Sequence, residues 1–83
     1  MKDTYFEELK SRIIRDCGYV NDCADSKDWN RNHVNYGCAI TWASVLRDMG
    51  HDVDVPVWED AGYLKIPKLK IDGEVIVEYP GGK

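Results

Sequence analysis

Four residues in the first half of the chain have side chains suited to holding a metal: Cys17, Cys23, His33 and Cys38. Four soft ligands is the number a closed zinc site needs. Their spacing, x5 then x9 then x4, lacks the tight Cys-x2–4-Cys knuckle of recognisable zinc sites. Zinc is therefore one of two readings for these residues. The other makes Cys17 and Cys38 small apolar members of helical stripes. Cys38 carries a further chemistry, because a thiolate at a helix N-terminus is a nucleophile of lowered pKa. His33 is the one histidine able to approach it. His51 follows at the far end of the same expected helix, about 20 Å away at 1.5 Å per residue.

The second group is acidic. Residues 36–62 hold Arg47 alone against Asp48, Asp52, Asp54, Glu59 and Asp60, within a chain of net charge −4. Such a field repels nucleic acid and favours basic protein surfaces. Trp58 and Tyr63 stand beside it as aromatic anchors. The expected partner-binding set is Asp52, Asp54, Trp58, Glu59, Asp60 and Tyr63. The competing reading is a solvated rim that keeps a small protein soluble.

These residues need elements to position them, and 83 residues suffice for one small domain, 1–83. The Thr4-Tyr5-Phe6-Glu7 capping box and the Phe6, Leu9, Ile13, Cys17 stripe predict a helix over 4–17, with Gly18 as its stop. Residues 18–35 are polar with little periodicity and read as a long loop, with Trp29 against the core edge. Asn35 caps a second helix over 37–49 that ends at Gly50 and whose polar stripe, Thr41, Ser44, Arg47 and Asp48, is narrow. This predicts burial on most sides. Val53, Val55 and Val57 alternate with polar residues in a strand over 52–58, which Pro56 confines to an edge. Residues 64–79 form a hairpin. A three-residue Ile71-Asp72-Gly73 loop pairs Leu69 with Val75, and a bulge at Pro67 reconciles its apolar phase. Residues 80–83 read as a tail. The expected fold class is α+β, two helices packed on a three-stranded, mostly antiparallel sheet in the order α-α-β-β-β.

Locally, Gly37-Cys-Ala-Ile-Thr41 resembles the nucleophile helix of papain-like cysteine hydrolases. That likeness implies a Cys38 nucleophile with a histidine base. Cys38-Ala-Ile-Thr41, with Ile66-Pro67 and the hairpin after it, is similar to thioredoxin and glutaredoxin helix–strand units. This one implies a one-cysteine redox site. Leu46-Arg-Asp-Met-Gly-His-Asp-Val-Asp-Val55 resembles a helix-to-strand junction of two-domain glycosyltransferases, a packing signature without catalytic residues. In size and acidic character the chain resembles small phage-encoded inhibitors, anti-CRISPR proteins included. That resemblance implies a non-enzymatic, cytoplasmic module that binds a basic groove of a host nucleic-acid-binding complex. No run is long enough to span a membrane, three cysteines fit a reducing cytoplasm, the acidic field argues against direct contact with nucleic acid, and no cofactor is expected. A small cysteine enzyme using Cys38 is the alternative.

Overall fold

The computed structural model describes residues 4–79; the tail read at 80–83 lies outside them. Two long helices come first, α1 (Thr4–Asp25) and α2 (Trp29–Asp48). Five short strands follow: β1 (Val53–Asp54), β2 (Trp58–Asp60), β3 (Tyr63–Lys65), β4 (Lys68–Ile71) and β5 (Glu74–Glu78). The fold is α+β: two helices packed against an antiparallel three-stranded sheet, ordered β1-β4-β5, and a β2–β3 hairpin.

The long loop expected over 18–35 is helical except for a turn at residues 26–28. Its helical period was concealed by asparagine. The buried positions of α1 are Leu9, Ile13, Asp16, Cys17, Val20, Asn21 and Ala24, a stripe that runs straight through Gly18. A Cβ on Gly18 would meet Tyr79 Cε1 at 3.8 Å, so the helix passes beneath that ring rather than stopping. α1 ends at a Schellman motif. Lys27 takes the left-handed conformation (φ 62°), its N–H donates to Ala24 O at 3.2 Å, and Asp28 N–H donates to Cys23 O at 2.9 Å. Asp28 then caps α2, its Oδ1 accepting from Arg31 N–H at 3.2 Å.

α2 is less buried than its composition predicts. Asn32, Ala39, Ala43 and Leu46 face the core, while Val34 is 64% exposed and Cys38 is also exposed. Its end follows the glycine signal: Gly50 has φ 96°, and His51 N–H donates to Leu46 O at 3.0 Å.

The expected strand over 52–58 divides around Pro56. β1 joins the sheet at its edge through Val53↔Ile71 and Asp54↔Lys70, whereas Trp58 belongs to the separate hairpin. The β4–β5 turn is the two-residue Asp72-Gly73 (φ 54° and 82°), not the three-residue loop. A shift between Leu69 and Lys70 moves the pairing from Lys70↔Val75 to Leu69↔Val77. One extra residue on β5 thus restores the apolar match for Leu69 that the three-residue loop was expected to supply. Leu9, Ile13, Cys17, Val20, Ala39, Ala43, Leu46, Val53, Val55, Ile66, Leu69 and Ile71 form the core. Among the described residues no helix is long and apolar enough to cross a membrane.

Candidate functional site

The hairpin carrying the acidic and aromatic residues is fixed by two buried amides. Asn32, fully buried on α2, donates through Nδ2 to Leu64 O at 2.9 Å and to Val20 O at 2.7 Å. Its Oδ1 accepts from Leu64 N–H at 2.8 Å. Asn21 on α1 treats Ile66 in the same way, with Nδ2 to Ile66 O and Ile66 N–H to Oδ1, both 2.8 Å. A carboxamide offers one donor and one acceptor side by side, as a peptide group does. The two asparagines therefore line the edge of β3 and of Ile66 just after it as a neighbouring strand would.

The turn of the hairpin is held separately. Gly62 O accepts from Trp29 Nε1 at 3.1 Å and lies 2.9 Å from His33 Nε2, which carries the proton in this pairing. The two rings lie against each other at 4.2 Å between centroids. Trp29 is 52% exposed, so it clamps the turn instead of entering the core edge. Tyr63 is also engaged within the chain: its hydroxyl donates to Lys27 O at 3.3 Å, and Lys27 Nζ lies 5.2 Å from its ring centroid.

These contacts leave β2 outermost. Among the described residues it pairs only with β3, through Trp58↔Lys65, Glu59↔Leu64 and Asp60↔Tyr63. Leu64 turns its N–H and C=O towards Asn32, so its cross-strand partner Glu59 turns its own away from β3 by antiparallel alternation. All three β2 residues are exposed. Trp58 stands beneath Lys65, whose Nζ is 5.8 Å from the indole centroid. Asp52 and Asp54 are exposed on the other strand system, near the β4–β5 turn. There Asp52 N–H donates to Asp72 Oδ1 at 2.9 Å, and Asp54 faces Lys70 across the ladder. The six expected partner-binding residues thus divide between two strand pairs. Asp52, Asp54, Glu59 and Asp60 make no ion pair among the described residues. Arg47 does not neutralise them: its guanidinium donates to Val53 O, at 2.6 Å from Nη2 and 3.1 Å from Nε.

The turn beside Asp52 carries a small charged clip. His51 Nδ1 is 2.8 Å from Asp72 Oδ2, and the imidazole stacks on Phe6 at 4.3 Å. The His51 contact, followed by the Asp52 N–H, holds the Asp72 carboxyl below its ordinary range.

The sulfur and imidazole groups are not gathered. Among the described residues no three His, Cys, Asp or Glu side chains are placed to hold a metal. Cys17 is fully buried, and burial pushes its thiol up to about 12, with the Tyr79 hydroxyl opposing the shift and Asp16 adding to it. Burial beside Cys17 raises the Tyr79 hydroxyl as well; that hydroxyl donates to Ile14 O at 2.9 Å. Asp16 is buried too, with Oδ1 on Arg15 Nε at 3.2 Å and Oδ2 without a partner among the described residues. Cys23 accepts from Asn35 Nδ2 at 3.6 Å, and His33 is engaged by Gly62. Cys38 sits within α2 rather than at its N-terminus, since the helix begins at Trp29. Five residues separate it from His33, about 140° around the helix, so the imidazole does not reach the thiol.

Sequence reasoning passed over Asn21 and Asn32. The signal was there: at α1 positions 13, 17, 20 and 24 and α2 positions 39, 43 and 46, the apolar stripes extend by helical steps onto the two asparagines. Comparison of the chain with protein-family models, with curated proteins and with solved structures finds no match.

Proposed function

We propose that this chain is a non-enzymatic protein-binding module that presents its acidic strand surface to a basic surface of another protein. One observation carries the reading. Glu59 and Asp60 are exposed and without ion pairs among the described residues, on a strand whose outer edge pairs with no other described strand. An open edge offers backbone donors and acceptors, and carboxylates along it select a Lys- or Arg-rich segment. Asp52 and Asp54 add exposed carboxylates at the start of the other sheet, and Trp58 supplies apolar area beside Glu59. A groove that ordinarily holds phosphates has the chemistry such a surface fits, since the carboxylates would stand in for the nucleic-acid backbone. The basic groove of a host nucleic-acid-binding complex is the partner class favoured, with the chain acting as an inhibitor of the anti-CRISPR kind.

The test compares the intact protein with a variant carrying Asp52→Lys, Asp54→Lys, Glu59→Lys and Asp60→Lys. Each serves as bait in lysate of the cells that carry the gene, at low and at moderate salt. The expected result is a basic, nucleic-acid-binding protein retained by the intact chain, weakened by salt and lost with the reversed one. Retention of the same proteins by both baits would refute the reading.

A further inference from the structure

α2 turns a second face to solvent, and its residues are spaced for another helix. Arg31, Val34, Cys38, Thr41, Val45 and Asp48 recur at alternating steps of three and four, the heptad spacing of a two-helix seam. Val45 is half-buried, packing in part against the core, and the other five are exposed, on the side of α2 away from Ala39 and Ala43. A depression of about 330 Å³ opens on this face, lined by Val34, Gly37, Cys38, Thr41 and Trp42. The first four stand at i, i+3, i+4 and i+7. That diamond is the hole into which a side chain of a facing helix inserts.

Two features of this face cost the chain alone stability, the exposed ion pair between Arg31 Nε and the N-cap Asp28 Oδ2 at 3.7 Å offsetting little of it. A Cβ on Gly37 would meet nothing within 4 Å, so no neighbour among the described residues requires glycine there. Glycine in a helix interior nevertheless costs about 1 kcal/mol. Arg31 lies in the first turn of α2 and Asp48 at its last residue, which places both charges against the helix macrodipole. Between them, residues 32–46 contain no Asp, Glu, Lys or Arg.

Both features acquire a purpose when the face meets itself. In an antiparallel pair, Arg31 of each copy falls opposite Asp48 of the other, Val34 opposite Val45, and Cys38 opposite Thr41. The twofold axis makes every contact twice. A parallel pair would instead set Arg31 against Arg31 and Asp48 against Asp48. We infer that the outward face of α2 binds a second copy of this chain as an antiparallel helix pair. Thr41 of one copy seats in the hollow left by Gly37 of the other. The charge pattern is complementary to itself, which selects a second copy over an unrelated helix. A single helix face belongs to the small class of interfaces, below about 1,200 Å², so the dimer forms at micromolar concentrations or above.

Sedimentation of the full chain from about 1 μM to about 1 mM reads the association directly. The wild type is expected to pass from monomer to dimer. Arg31→Asp and Asp48→Arg should each weaken the dimer roughly tenfold, since each turns two attractive pairs into two repulsive ones. The combined swap should restore it. Both reversals agree with the helix dipole, so circular dichroism should find every variant folded. Cys38 alkylation by a maleimide should slow as the dimer fills. A wild type that stays monomeric to about 1 mM, a swap that restores nothing, or a dimer whose Cys38 reacts as fast as in the monomer would each overturn the inference.

Discussion

Replacing Asn32 with alanine removes the amide that completes the outer edge of β3. Three hydrogen bonds go with it: Nδ2 to Val20 O, Nδ2 to Leu64 O, and Leu64 N–H to Oδ1. Each is worth about 1 kcal/mol net, and a buried backbone group left without a partner adds about 1–3 kcal/mol. Water can reach partly buried Leu64 in compensation, so the lower end of that range applies. The expected loss is about 3–4 kcal/mol. A domain of 83 residues has about 4–12 kcal/mol in total, so the variant approaches the unfolding threshold. At a urea slope of about 1–1.5 kcal/mol per molar, the midpoint should fall by about 2–4 M with an unchanged slope. Amide hydrogen exchange localises the effect. In Asn32→Ala protection should be lost first at Leu64, and in Asn21→Ala at Ile66, because each asparagine serves its own residue. Asn32→Asp keeps the acceptor for Leu64 N–H but sets a carboxylate against two carbonyl oxygens. It should be at least as damaging at neutral pH and recover in part as acid restores an O–H donor. A loss below about 1 kcal/mol in Asn32→Ala, or unaltered exchange at Leu64, would refute the view that these amides act as a strand.

Two further outcomes are expected. Asp72 has its carboxyl held below the ordinary range by His51 and the Asp52 N–H, so the clip contributes stability above the unfolded carboxylate value of about 4 and loses it as pH falls through the folded one. Asp72→Asn, which keeps the left-handed turn residue and an acceptor, should be less stable than wild type at neutral pH, and the two denaturation curves should converge in acid. In the native protein a disulfide reagent near neutral pH should modify exposed Cys38 readily and leave Cys17 untouched, since burial both covers that thiol and raises it to about 12. Reaction of Cys17 at the rate of Cys38 without unfolding would contradict the packing of Tyr79 over α1.

The sequence by itself determined the α+β class, the stop of α2 at Gly50, the edge placement of the chain after it and the existence of the final hairpin. Each rests on a local rule. Left-handed backbone favours glycine, proline cannot donate, and alternation in a strand shows which face is wet. It also showed the one-sided acidic charge of residues 36–62, because charge counts do not depend on folding. Tertiary structure decided the rest. The apolar stripes point by helical steps to Asn21 and Asn32, but asparagine does not count as apolar, so the stretch from Gly18 to Asn35 read as loop although both lie on the buried faces of two helices. The value of those side chains comes from Leu64 and Ile66, more than thirty residues away, and no local pattern announces such partners. The same distance effect placed Asp54 and Glu59 in different strand pairs. It also left the apolar stripe of α2 half in solvent, because α1 and the strands cover only one side of that helix. Which side is covered depends on where the other elements pack, and that exists only in the folded chain.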